Sequence, residues 1–178
     1  ATWIRVRAAG KGSVELYAVA LERSQGGLVL DTMGQVGLRA RGLLRINDKH
    51  FTHQIQLRSP HLMAIQFGGK ERVDAKLTKE KHQGEIEELV GRLKKGSPDG
   101  SCMVVGPLPH GKRKRGKITL DPRLNIIADA QKAAAKSQGC AYFDAIAHFG
   151  GEEGLQAMVK ERLLAKDLAH LTTRGHQK

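Results

Sequence analysis

Apolar positions recur with two periods along this chain, and the switches between them mark out its elements. "TWIRVRA" (2–8) alternates large apolar with basic residues, and "SVELYAVALE" (13–22) follows across a Gly-Lys-Gly turn. That pattern predicts an N-terminal β-hairpin with one wet face. "GGLVLDTMG" (26–34) is a short apolar run ending in a glycine-bearing loop, which predicts a strand over 28–31. "LRARGLLR" (38–45) predicts a short helix. "DKHFTHQIQLRS" (48–59) predicts another, capped by Asp48, with Phe51 and Ile55 on one face and Pro60 as its stop.

A βα rhythm follows. "HLMAIQFGG" (61–69) reads as a buried strand, and "KEKHQGEIEELVGRLKKG" (79–96) as an amphipathic helix. Ile86, Leu89, Val90 and Leu93 form its inward stripe, with Gly96 at the end. "SCMVVGPLP" (101–109) is a second buried strand closed by prolines. "DPRLNIIADAQKAAAKSQG" (121–139) is a helix with Asp121 as N-cap, Pro122 at the first position and Gly139 just past the end. "CAYFDA" (140–145) is a third strand, and "EGLQAMVKERLLAKD" (153–167) a last helix. Short apolar strands alternating with amphipathic helices imply an α/β fold, with a mostly parallel sheet covered on both faces. In such a sheet functional residues collect beyond the carboxyl ends of the strands.

Length and composition narrow this reading. The chain has 178 residues, enough for one ordinary domain with a real core. Hydrophobic residues make up 40% and charged residues 27%, the balance of a soluble globular protein. No apolar run approaches the roughly 20 residues of a membrane span. No charged-then-apolar leader is present, and the first residue is Ala1, which leaves a removed leader or a truncation open.

Charge and candidate chemistry change the picture further. The net charge of +12 favours acidic partners such as nucleic acid, anionic glycan or anionic lipid. Cations are densest in "HGKRKRGK" (110–117), where Lys112, Arg113, Lys114 and Arg115 read as a solvated basic loop and a candidate anion-binding site. Aromatics are only 4%, so base-stacking platforms are scarce. Cys102 and Cys140 read as small buried hydrophobes on strands, with a disulfide left open. No cysteine or histidine spacing suggests a metal, and no cofactor is implied. His50, His53 and His61 read as surface residues, His82 as part of a polar helix face, and His148 as a residue near a strand end. The pair that stands apart is Asp167 and His170 in "KDLAHLTTRGH". Asp-x-x-His fits a triad in which the histidine takes a proton from a nucleophile and the aspartate orients the ring.

Several stretches, in order, resemble the SGNH/GDSL hydrolases, which are esterases with a flavodoxin-like, three-layer α/β/α fold. The resemblance is to the bacterial branch that deacetylates cell-wall and other polysaccharides. "LYAVALERSQGGLVLDTMGQVGLRARGLL" (16–44) resembles the family's second block, which implies that Gly37 donates its backbone N–H to the oxyanion. "PHLMAIQFGGKERVD" (60–74) resembles the third block, where Lys70 stands in place of the oxyanion asparagine. "KDLAHLTTRGH" resembles the fifth, with Asp167 and His170 as acid and base.

Two departures accompany the resemblance. The family's Gly-Asp-Ser nucleophile motif does not occur, and Ser13, Ser24, Ser59, Ser97, Ser101 and Ser137 lack its setting. In the strand order 2-1-3-4-5, residues 28–31, 62–67, 102–105 and 140–143 are strands two to five, so the first strand is missing. It is expected upstream of this sequence, from a complementing chain, or replaced by the N-terminal hairpin. Residues 1–12 are expected to be a remnant of an inserted or preceding β domain, and 13–178 the hydrolase-like domain. The implied function is hydrolysis of O-acetyl esters of a polysaccharide by a Ser-His-Asp mechanism, in an extracytoplasmic compartment. The alternative is an inactive module that binds anionic glycan or nucleic acid through its basic surface.

Overall fold

A computed structural model describes residues 3–16, 19, 21, 22 and 25–177. It divides into two units, Ala1–Gly34 and Gln35–Lys178. In the first unit the described residues form neither helix nor strand. The expected hairpin therefore has no ladder over its described residues; Thr2, Tyr17, Ala18 and Ala20 lie outside them. Trp3, Ile4, Val14 and Leu16 are all exposed, and the Arg5 guanidinium stacks 4.9 Å over the Trp3 ring. The strand expected over 28–31 is likewise not formed, with Leu28 96% and Leu30 81% exposed. A strand is stable only when a neighbour pairs its backbone.

The second unit carries the βα rhythm. Helix α1 (Ala40–Leu43) leads to α2 (Asp48–Arg58), which buries Phe51 and Ile55 as expected. Its cap is Asn47 rather than Asp48: the Asn47 carboxamide oxygen accepts the His50 N–H at 3.1 Å. Asp48 opens the helix instead, where its charge suits the N-terminal dipole. The helix stops at Ser59 in the left-handed region (φ 43), one residue before Pro60.

Strand β1 (Leu62–Gln66) is followed by a 3-10 turn (Glu71–Val73) and by α3 (Lys79–Gly96), capped by the Thr78 hydroxyl. Ile86, Leu89 and Val90 are buried. His82 is buried as well, not on the polar face. It lies one turn before Ile86 and so belongs to the same stripe. The Gln131 amide nitrogen lies 3.1 Å from His82 Nε2, and burial holds the His82 pKa below its ordinary value, against the opposing pull of Glu71 and Glu85. Gly96 ends the helix where a Cβ would stand 2.6 Å from the Ile55 Cβ, so this glycine lets α2 and α3 approach.

Strand β2 (Ser101–Val105) pairs in parallel with β1 and with β5 (Ala141–Phe143), giving the sheet order β1-β2-β5. Between them run an antiparallel hairpin, β3 (Gly111–Lys114) and β4 (Lys117–Leu120), and helix α4 (Arg123–Ser137). The N-cap of α4 is Pro122 rather than Asp121, one residue later than expected; the Asp121 carboxylate still accepts the Arg123 N–H at 3.1 Å, and Gly139 (φ 64) ends the α4 segment. The expected helix over 153–167 is α6 (Gly151–Lys160), preceded by the short α5 (Ala145–His148) and followed by a non-helical stretch. Gly150 and Gly151 at positive φ start α6 early, and Arg162 at φ 58 takes the chain out of it. A last turn, α7 (Thr173–His176), is capped by the Thr172 hydroxyl.

The parallel register sorts the sheet into two faces. Met63, Ile65, Cys102, Val104 and Tyr142 pack with residues of α2, α3 and α4 in one core. Cys102 and Cys140 are joined there by a disulfide, with Cα atoms 4.9 Å apart. The other face carries Leu62, Ala64, Met103, Val105, Ala141 and Phe143, and it is open: Leu62 is 57% and Phe143 37% exposed.

Candidate active site

Asp167 and His170 are brought together. Their loop is closed by a hydrogen bond from the Ala165 N–H to the His170 carbonyl, 2.7 Å, and by the Leu164–Leu171 bridge. Inside it Leu168 is buried in the left-handed region at φ 59, a conformation that a leucine keeps only when its surroundings enforce it. The bend folds the Asp167 carboxylate back on its own loop. One oxygen accepts the Ala169 and His170 N–H groups at 3.0 and 3.1 Å, and the other lies 2.6 Å from His170 Nδ1. Hydrogen bonds from the His170 ring, the His170 N–H and the Ala169 N–H hold this carboxyl well below the usual carboxylate range. With Nδ1–H donating to Asp167, Nε2 of His170 is left as the basic nitrogen. The imidazole is 83% exposed, and Nε2 makes no hydrogen bond with a described residue.

None of the described serines is bonded to this histidine. Ser97 donates to the Pro60 carbonyl, and Ser137 donates to Glu87 and to the Ala134 carbonyl. Ser13, Ser59 and Ser101 are exposed and make no bond to His170, and Ser24 lies outside the described residues.

Gly37 and Lys70 are linked through a residue that the sequence reading passed over. Gly37 (φ 75) sits in a tight turn closed by the Leu38 N–H donating to the Gln35 carbonyl at 3.1 Å. The buried Glu71 carboxylate accepts the Ala40 N–H at 2.8 Å and the Gly68 N–H at 2.9 Å, clamping that turn to the loop after β1. Arg39 and Arg41 reinforce the clamp with ion pairs to Asp74, at 2.6 and 3.2 Å. Lys70 is exposed and bonds to no described residue.

His110 is the other residue that sequence reasoning missed, hidden at the head of the basic run. It follows β2, and its ring lies 3.5 Å from where a Gly69 Cβ would stand. Nδ1 lies 2.8 Å from the Leu108 carbonyl, which makes it the protonated nitrogen. Burial first, then the nearby Arg72 and His170, push its pKa down, against the Leu108 carbonyl and Asp121. The His110 ring is thus biased toward its neutral form, within electrostatic reach of His170. The only advance signal was its place beyond a strand's carboxyl end.

Lys112, Arg113, Lys114 and Arg115 form a hairpin rather than a loop, and its root joins the Asp167–His170 loop: the Gly111 N–H donates to the Leu168 carbonyl at 2.7 Å. Two surface hollows of about 430 Å³ lie elsewhere, one along β4 and α6, the other beside Asn125, Asp129 and Asp144. Neither includes Gly37, Lys70, Asp167 or His170. Among the described residues no group of three or more His, Cys, Asp or Glu is placed to hold a metal, and no helix is long and apolar enough to cross a membrane.

No protein-family model and no curated protein matches this sequence. Solved structures do match. A peptidoglycan O-acetylesterase superposes with a TM-score of 0.71 at 14% identity, over 79% of this chain and 40% of its own length. A GDSL-like lipase from Parabacteroides merdae gives 0.57 at 15% identity, over 79% of this chain and 64% of its own. A lipase/acylhydrolase from Enterococcus faecalis gives 0.53 at 13% identity, over 79% and 66%. The chain therefore spans between two fifths and two thirds of the length of these structures. At such identities the likeness is one of fold, and by that likeness this chain has the α/β fold of the SGNH/GDSL hydrolases.

Proposed function

We propose that this chain is the acid–base portion of an SGNH-type esterase that removes O-acetyl groups from a carbohydrate, with a serine that is not among these 178 residues. His170 Nε2 takes the proton as that serine's Oγ attacks the acetyl carbonyl. Asp167, already ionised and bonded to Nδ1–H, stabilises the imidazolium. The negative charge on the carbonyl oxygen is met by the Gly37 N–H and by Lys70, a point charge where a fixed amide would be more selective. On collapse His170 gives its proton to the leaving sugar oxygen. Water then repeats the cycle on the acetyl-serine and releases acetate. The observation that carries the reading is the 2.6 Å Asp167–His170 contact, in a loop whose own N–H groups fix the carboxylate.

The test joins this chain to a Gly-Asp-Ser segment, supplied upstream or as a second chain, and follows p-nitrophenyl acetate and an acetylated glycan. His170→Ala is expected to lower kcat by about 10³-fold or more, and Asp167→Asn by on the order of 10⁴-fold. Turnover unchanged by His170→Ala rejects the proposal. An inactive module is the second reading, favoured by Lys70 at the amide position and by the lack of a described serine beside His170.

A further inference from the structure

We propose that the β3–β4 hairpin is a docking arm for an anionic, carboxylate-bearing polysaccharide, presenting a lysine face beside the His170 loop. The register places Lys114 directly opposite Lys117 and Lys112 opposite Thr119, so three lysines and a threonine share one face. Like charges facing each other across a ladder are destabilising. None of Lys112, Arg113, Lys114, Arg115 and Lys117 forms an ion pair with a described residue, and all five are exposed. The opposite face carries Gly111, Ile118 and Leu120, with the exposed Arg113 across from Ile118, and its root packs on the unit: a Cβ on Gly111 would stand 2.8 Å from the Leu168 Cβ.

The arm is also rigid. Arg115 (φ 50) and Gly116 (φ 81) are both at positive φ, as the tight turn of a two-residue hairpin requires. Helix α6 holds the outer edge of β4, with Gln156 donating to the Ile118 carbonyl and Glu152 accepting the Leu120 N–H at 2.7 Å. The Asp121 N–H closes the base onto the His110 carbonyl at 2.9 Å. An edge strand is protected from aggregation by one or two lysines. Edge protection does not call for a repulsive lysine pair, nor for a root bonded to the Asp167–His170 loop.

The ligand class follows from what surrounds the cations. Residues 108–120 include no Phe, Tyr or Trp, and the His110 ring is half-buried at the root, so bases of a nucleic acid would find little to stack on. A polyuronate offers evenly spaced carboxylates that an unstacked row of lysines can meet. This proposal rests on the esterase reading only for the meaning of the site beside the arm. Its binding test needs no turnover.

The 178-residue chain would be titrated against a fluorescein-labelled oligogalacturonate, a neutral glucan of equal length and single-stranded DNA, at a series of salt concentrations. Oligogalacturonate is expected to bind more tightly than either control, and to weaken steeply with salt. Replacing Lys112, Lys114 and Lys117 by Gln is expected to weaken that binding about tenfold or more, with circular dichroism unchanged and Tm equal to or above the parent's, since the facing lysine pair is relieved. Tighter binding to DNA, salt-insensitive binding, no binding, or binding unchanged in the triple variant would each overturn the proposal. Binding that behaves as expected in a serine-completed protein with no esterase activity would reject the esterase reading and leave the docking arm standing.

Discussion

Glu71 joins two backbone N–H groups that are 28 residues apart, those of Ala40 and Gly68, inside the unit. Removing its carboxylate strands both donors where water does not replace it, a loss of roughly 1–3 kcal/mol for each. Glu71→Ala is therefore expected to cost about 3 kcal/mol or more, seen as a lower urea midpoint with an unchanged slope, and to loosen the Gly37 turn. A midpoint within about 0.5 kcal/mol of the parent would show that the clamp contributes little. Nothing near Glu71 in sequence reveals this role, because its partner at Ala40 lies 31 residues away. Asp167 and His170 were legible because their partner is three residues off and the bond closes within one loop. His82 was legible in principle: 82, 86, 89 and 90 form one helical stripe, but a histidine there reads as polar until α4 covers it. His110 was obscured by the five cations that follow it.

Elements that carry their own hydrogen bonds were the readable ones. α3 and α4 fall close to their expected ranges because Thr78, Asp121 and Gly139 mark their ends locally. The run at 28–31 has the composition of a strand but no partner, and its side chains stand in solvent. The basic run was taken for a loop because four cations in a row hide the two-residue turn at Arg115 and Gly116. The disulfide was open at the sequence level, since only the parallel pairing of β2 and β5 brings Cys102 and Cys140 together. It closes a loop with a separation of 38 residues, worth about 4 kcal/mol on a chain-entropy estimate. Reduction, or the pair Cys102→Ala and Cys140→Ala, is expected to lower Tm by about 10 °C. A Tm indifferent to dithiothreitol would remove the bond from the account.

Within the Gln35–Lys178 unit the unusual feature is a parallel sheet that the described residues of that unit cover on one side. Parallel sheets are ordinarily buried on both faces, which is why their strands are apolar throughout. Here Met63, Ile65 and Val104 meet α2, α3 and α4, while Leu62, Met103, Val105 and Phe143 face the open side. The outer edge of β1 is likewise unpaired within the three-stranded sheet. In the strand order that the resemblance implies, this is the edge that a serine-bearing strand would occupy, so the proposed nucleophile and the bare face become one structural question. A strand and helix from elsewhere in the same protein, or from a complementing chain, would cover both. The chain by itself is therefore expected to enhance the fluorescence of a hydrophobic dye such as 1-anilinonaphthalene-8-sulfonate, and to exchange half of the β1 amides far faster than those of β2. Adding a peptide that spans the Gly-Asp-Ser strand should quench the dye signal and protect the β1 amides in parallel. If the dye gives no enhancement and the β1 amides are already as protected as those of β2, something within these residues closes the sheet and no complementing strand is needed.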